Sequence, residues 1–400
     1  MAVSSEFLDG LTPSAIRDIT ASIREKKSRG IDVVNFAGGM PDAAYFPVKE
    51  LKQITDEIIE EDSGDLFQYA ATDGYLPLRE ALSDLMKRYQ VAANPAEILI
   101  TSGSAQALNY LSRALICPGD TVLIEEPVYV GAVDTLKSYG PKLVGIPMEE
   151  DGMDLEELEK ALRKGRASFI YTVPDFQNPS GSTMSVEKRE RLVRLAEKYD
   201  TYIIEDSPYS LLSFSGGVCP AVKSFDREGR VVYLGSVSKT ICPGLRVGWI
   251  CADQESVRKL IYLKQRDDLQ VNNLAQRQVH RYLTGGSFDA HLQEVCGVYK
   301  QRMESMLEAV RTYFPKDAVY IPPRGGIFLW LELGGGIDAR KLFPYILNRR
   351  IAFVPGSFFY ANGGGKSTMR LNFCTNEEAV IREKIREMGL AIQAWQAERK

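Results

Sequence analysis

Ser168-Phe-Ile-Tyr-Thr-Val173, Tyr202-Ile-Ile-Glu205 and Val231-Val-Tyr-Leu-Gly235 are three of seven short β-rich runs that decide the fold. The others are Ile98-Thr101, Thr121-Glu125, Lys142-Pro147 and Arg246-Cys251. Most are continuously apolar, as strands buried on both faces must be. Helical patterns such as Leu155-Arg163 and Val186-Tyr199 separate them. This alternation predicts an α/β fold with a mostly parallel seven-stranded sheet and helices on both faces. In such sheets the ligand lies beyond the carboxyl ends of the strands, so the site is sought in the loops that follow them.

Past Gly286 the pattern changes to a long amphipathic helix, with Leu292, Val295, Tyr299, Met303, Met306 and Val310 three or four apart. Strand candidates Ile327-Leu333, Ile351-Val354 and Met369-Phe373 surround a helix at Ala339-Asn348, which predicts a smaller α+β domain. The expected organisation is a large cofactor domain over residues 46–286 and a small C-terminal domain over 287–400, which the N-terminal segment 1–45 joins. Two domains suit 400 residues at roughly 100 to 200 residues each.

Composition narrows the function. With 44% hydrophobic and 26% charged residues the chain reads as globular. A net charge of -4 offers no basic footprint for nucleic acid or anionic lipid, which favours small-molecule partners. Six scattered cysteines without a C-x-x-C pair read as reduced thiols of a cytoplasmic protein. No secretory apolar region and no run of about 18 apolar residues is visible. Two histidines, His280 and His291, supply neither a metal site nor a Ser-His-Asp triad, so no metal is expected.

Gly235-Ser-Val-Ser-Lys239-Thr-Ile-Cys-Pro-Gly-Leu-Arg246 follows one strand and runs into the next. A lysine that forms a Schiff base needs a partly desolvated loop, and Ser236, Ser238 and Arg246 around it can grip a phosphate. Tyr202-Ile-Ile-Glu-Asp206-Ser-Pro-Tyr209 ends a buried run with an aspartate, which can keep a pyridine nitrogen protonated, and a tyrosine, which can bond the ring's phenolate oxygen. Read alone, the same residues are a helix N-cap and a packed ring. Asn178, in the turn Gln-Asn-Pro-Ser-Gly181, can donate to that oxygen too. Thr101-Ser-Gly103-Ser104-Ala105 joins a strand to a helix whose free N–H groups can cradle a phosphate. Tyr129, in Glu-Pro-Val-Tyr129, can stack on a cofactor ring or pack in the core.

From about Pro13 to the C-terminus these motifs stand in a family order: Pro-Ser-Ala-Ile-Arg17, Phe-Ala-Gly-Gly39-Met-Pro, Gln-Tyr69 with Gly74 and Leu-Arg79, Ser-Gly-Ser-Ala-Gln, Glu-Pro-Val-Tyr129, Gln-Asn178-Pro-Ser-Gly, Glu-Asp206-Ser-Pro-Tyr209, Ser-Val-Ser-Lys239, Gly-Leu-Arg246-Val-Gly and Met-Arg370-Leu-Asn-Phe. The sequence resembles the fold-type I aminotransferases of class I/II, and within them the 2-aminoadipate and kynurenine branch. The resemblance implies pyridoxal 5'-phosphate, a Schiff base on Lys239, catalytic support from Asp206 and Tyr209, and amino transfer from an L-amino acid to a 2-oxo acid such as 2-oxoglutarate by a ping-pong mechanism. It further implies that Arg370 binds the α-carboxylate, that Gly39 lies close to the substrate, and that Arg17 sits on a mobile N-terminal segment over the site. A homodimer is implied in which Tyr69 reaches the neighbouring subunit's phosphate. One departure is Ala105, where many relatives carry Gln; a backbone donor is unaffected by the exchange.

Other readings are weaker. Gly365-Lys-Ser367 lacks the P-loop's first glycine, since Tyr360 stands there. Gly334-Gly-Gly336 with Ala339 imitates a dinucleotide fingerprint, but no Asp or Glu falls between Arg350 and Asn362 to bind a ribose. A transcriptional regulator built on the same domain would need a DNA-reading segment before about Pro13, where there is little room. A β-lyase or decarboxylase on this fold remains a catalytic alternative, because fold does not fix reaction.

Overall fold

Apolar runs become strands wherever both faces are covered. The computed structural model describes residues 15–398, so Pro13 and Ser14 lie outside the described residues. Its strands are β1 (Val34–Asn35), β2 (Ile98–Thr101), β3 (Thr121–Glu126), β4 (Lys142–Glu149), β5 (Gly152–Met153), β6 (Phe169–Thr172), β7 (Tyr202–Asp206), β8 (Val231–Ser236), β9 (Gly248–Cys251), β10 (Phe328–Glu332), β11 (Ile351–Ala352), β12 (Val354–Pro355) and β13 (Thr368–Asn372). The large sheet has the order β2-β9-β8-β7-β6-β3-β4-β5. Neighbours from β8 through β4 are parallel. Strand β9 is antiparallel to both β8 and β2, and β5 is antiparallel to β4.

The sheet is thus eight-stranded, not seven-stranded as expected. The extra strand, β5, has only two residues and turns back on β4, too short for any hydrophobic period to show. Each of the seven expected runs is a strand of this sheet. The carboxyl ends of β3, β6, β7 and β8 share one edge because the strands are parallel, and β2 runs the same way. Ile204 and Leu234 beneath that edge are fully buried, and such side chains each contribute about 1.5–3 kcal/mol relative to exposure.

A second sheet of order β10-β13-β12 is antiparallel, and β1 pairs in parallel with β11. The expected single strand Ile351-Val354 is therefore two. Ile351–Ala352 pairs with Val34–Asn35, whereas Val354–Pro355 pairs with β13, and the chain changes partner at Phe353. The long helix is Phe288–Tyr313 and packs against the last helix, Glu378–Ala397. One apolar cluster continues from Ile204 and Leu234 to Phe328, Met369 and the long helix's Val295 and Met306.

The N-terminal helix is Ala15–Ser28, and Lys26 and Lys27 form its last turn. Ile19 anchors it in a cluster with Ala37, Val130, Val354 and Phe359, so one apolar stripe fixes an otherwise polar helix beside the loop that carries Tyr129.

Candidate active site

Loops from the carboxyl edge of the large sheet converge on a cavity of about 350 Å³, within the range of small-molecule sites. Asn178, Asp206, Tyr209 and Lys239 line it, as do Gly39 and Arg370 from the segments around the smaller sheet. One end is walled by Ser104, Ala105, Ser236, Ser238 and Arg246, and Tyr129 lines the cavity as well. Two expected residues are elsewhere within the chain: Tyr69 is 79% exposed, and Arg17 is exposed on the N-terminal helix.

The walled end is built to hold an anion. Gly103 caps the helix Ser104–Leu115 at φ +82, with no side-chain cap bond, so the first-turn N–H groups keep their donor capacity. A Cβ at Gly103 would stand 2.7 Å from Arg246 Nη2, which in turn donates to Ser102 O at 2.8 Å. Glycine is thus required both for the backbone angle and for the arginine's approach. Arg246 itself takes the left-handed region at φ +54. Ser236 Oγ donates to Ser238 Oγ at 3.0 Å, which sets two buried hydroxyls side by side near the guanidinium. Hydroxyls, backbone donors and a planar cation are the complement of a phosphate.

On the floor, two consecutive carboxylates of β7 face opposite sides of the sheet. Glu205 accepts from Val222 N at 2.9 Å and Lys223 N at 2.8 Å, so both of its oxygens are satisfied. Asp206 is treated differently. Its Oδ2 accepts from the Tyr171 hydroxyl at 2.8 Å, whereas Oδ1 is buried with no partner among the described residues. Leaving a buried acceptor unpaired costs about 1–3 kcal/mol, which a ligand that donates there removes. Burial pushes the Asp206 carboxyl up to about 6, opposed by the hydrogen bond from Tyr171, by the nearby Ser104 hydroxyl and by the charge of Lys239.

Lys239 follows β8, and its Nζ donates to Gly39 O at 2.8 Å. Desolvation lowers its ammonium pKa to about 8, which raises the share of nucleophilic free amine near neutral pH. The nearest atom to a Cβ at Gly39 would be Phe328 Cζ at 3.7 Å, so the open space there is bounded by no protein atom in close contact.

Arg370 is 1% exposed on β13 and donates to Asn178 Oδ1 at 2.8 Å and to Ala37 O at 2.9 Å, with its guanidinium 4.0 Å from the Phe328 ring centroid. Among the described residues no carboxylate pairs with it, and its Nε has no acceptor. Desolvation pulls its pKa down to about 10. A buried cation without a counter-charge is costly, so this geometry calls for an anionic ligand. Because guanidinium only donates, Oδ1 is the Asn178 atom at Arg370, and the amide nitrogen is left as the donor for the cavity. Tyr209 is buried edge-on to Phe328, and burial raises its pKa, keeping the phenol protonated.

Sequence reading missed three residues around this floor. Tyr171 shares Asp206's face because it pairs with Ile204, two residues before Asp206. Glu125, fully buried and pushed up to about 7 by desolvation, accepts from Thr172 Oγ1, Val173 N and Gln177 Nε2. Gln177 also donates to Pro127 O at 2.7 Å, tying the Tyr129 loop to the Asn178 loop. Only the sheet register and the folded loops bring these residues together; Gln177 stands beside Asn178 in the quoted turn, but nothing local shows that it reaches Glu125.

Comparison with known proteins then decides the family. The family model described as aminotransferase class I and II matches residues 31–386. The chain belongs to that family. It is 38% identical to aromatic-amino-acid aminotransferase 1 of Thermococcus litoralis, over 97% of this chain and 94% of that one. The structure of Pyrococcus horikoshii kynurenine aminotransferase, in complex with PMP, superposes with a TM-score of 0.92 at 37% identity, covering 98% of this chain and 97% of that one. The α-aminoadipate aminotransferase LysN of Thermus thermophilus, complexed with N-(5'-phosphopyridoxyl)-L-leucine, gives 0.91 at 35% identity, covering 99% and 98%. This chain is a pyridoxal-phosphate-dependent aminotransferase. Its residues fit the cofactor: an anion cradle, the Lys239 amine and the unpartnered Asp206 oxygen are each the complement of one part of it.

Proposed function

We propose that the enzyme moves the amino group of an L-amino acid to 2-oxoglutarate in a ping-pong cycle, with 2-aminoadipate, aromatic or branched-chain amino acids as donors. The observation that carries this reading is Arg370, a buried guanidinium that pairs with no carboxylate among the described residues and lines the same cavity as Lys239. Its planar fork suits the carboxylate that every amino acid and 2-oxo acid shares. The names of the similar enzymes support the donor classes.

In this reading Arg370 and Asn178 hold and orient the substrate, with Gly39 leaving room beside it. Lys239 Nζ removes the proton from the substrate Cα and returns it later in the half-reaction. Gly103, Ser104, Ala105, Ser236, Ser238 and Arg246 hold the phosphate, Tyr129 covers the ring, Tyr209 and Asn178 bond its phenolate oxygen, and Asp206 pairs with its nitrogen. When bound, the cofactor supplies an electron-accepting ring that stabilises the negative charge developed at Cα. Arg17 pairs with acidic side chains; its helix is anchored by Ile19 beside Val130, next to Tyr129.

A homodimer belongs to the same proposal, with Tyr69 completing the neighbour's phosphate site. Phe67, Tyr69 and Leu269 are exposed, and Ala70 N donates to Gln270 Oε1, bringing the segment of Leu269 alongside the other two. The division into 1–45, 46–286 and 287–400 and a cytoplasmic location complete the reading. A panel of amino acids assayed against 2-oxoglutarate tests it: glutamate should form together with the donor's oxo acid. Release of ammonia or carbon dioxide without glutamate would point to the lyase or decarboxylase instead.

A further inference from the structure

The two oxygens of Asp206 are not equivalent. Oδ2 is held by the phenol of Tyr171 at 2.8 Å, and Oδ1 has no donor among the described residues. Tyr171 is itself fully buried in the middle of β6, and desolvation, with Asp206 as the next cause, raises its pKa well above the ordinary value. The phenol therefore stays protonated and acts only as a donor toward the carboxylate. Its ring packs in the same apolar cluster as Ile204 and Phe328, so the direction of the O–H is fixed by the core and not by a flexible stem.

We propose that Tyr171 is a positioning residue: by donating to Oδ2 it fixes the rotation of the Asp206 carboxylate, holds the group in its charged form, and leaves Oδ1 as the oxygen that meets the bound cofactor. This rests on the reading that Asp206 pairs with the cofactor's ring nitrogen. A donated hydrogen bond is stronger to the ionised carboxyl than to the neutral one, so it favours the ion, and burial works against that ionisation. Ser104 and the Lys239 charge favour the ion too, whereas Tyr129, Tyr209 and Glu125, the remaining titratable groups facing this carboxyl, give it no cation. Tyr171 is the donor to Asp206 contributed by the sheet itself, where side-chain direction is most firmly set.

Tyr171→Phe keeps the packed ring and removes the hydroxyl alone. The test compares it with Asp206→Asn and the parent, using the cofactor-free protein with ¹³C-labelled aspartate and then cofactor titration. The Asp206 signal is assigned by its loss in Asp206→Asn. In Tyr171→Phe the carboxyl should titrate about one to two units higher, because a donor to the anion is gone, and the cofactor dissociation constant should rise by roughly tenfold. An unchanged titration and an unchanged dissociation constant in Tyr171→Phe, with Asp206→Asn impaired, would overturn the role of Tyr171 alone. Parent-like cofactor binding and turnover in Asp206→Asn would overturn the reading of Asp206, and this proposal with it.

Discussion

The floor of the cavity and the two expected site residues that lie outside it are built on different principles. On the floor, Asp206, Asn178 and Arg370 are at most 5% exposed and each is held by a hydrogen bond with another element: Asp206 and Asn178 accept, Arg370 donates. Away from the cavity, Tyr69 is 79% exposed and Arg17 stands on the surface of a helix anchored through Ile19. Chemistry that needs charge in a dry, fixed setting belongs on the floor. Selection among side chains of unlike polarity suits an exposed cation, which can stay in water when an apolar substrate enters.

If that division holds, substitutions should lose their effect in the same order. Asp206→Ala is expected to cost the most, about 100- to 1000-fold in kcat, the scale for a preorganised charge partner. The variant should still retain part of its cofactor through the Arg246 end, and turnover within a few-fold of the parent would break the contrast at its strongest point. Arg370→Lys keeps the charge but loses the fork, so kcat/KM should fall by about 10- to 100-fold for every amino acid alike. A loss confined to one donor would move Arg370 from the shared carboxylate to a side-chain subsite. Smallest and most selective is Arg17→Ala. Half-reactions with glutamate and 2-aminoadipate should lose roughly 1–3 kcal/mol of transition-state binding, while leucine and phenylalanine change little. Equal losses for both classes would assign Arg17 to the fold.

How much of this was legible in the sequence follows the same line. Asp206 and Ser236 announced themselves because a strand hands its last residues to the cavity: Asp206 ends β7, and Ser236 ends β8. The apolar run before each one marks the strand, so the polar residue at its end stands out. Tyr171 gave no such signal. It lies inside a continuously buried strand, and only the β6–β7 register, Tyr171 opposite Ile204, reveals that it shares a face with Asp206. Strand β5 was invisible for want of length, and the partner change at Phe353 because two different pairings read as one apolar run.

Of all these assignments, that of Lys239 as the cofactor's attachment point tests the account most directly. The purified enzyme, reduced with borohydride and mapped by peptide mass spectrometry, should carry the phosphopyridoxyl label on the peptide that contains Lys239, with loss of the visible absorbance band. Label on Lys264, which is fully buried, or on any lysine outside the cavity would contradict it.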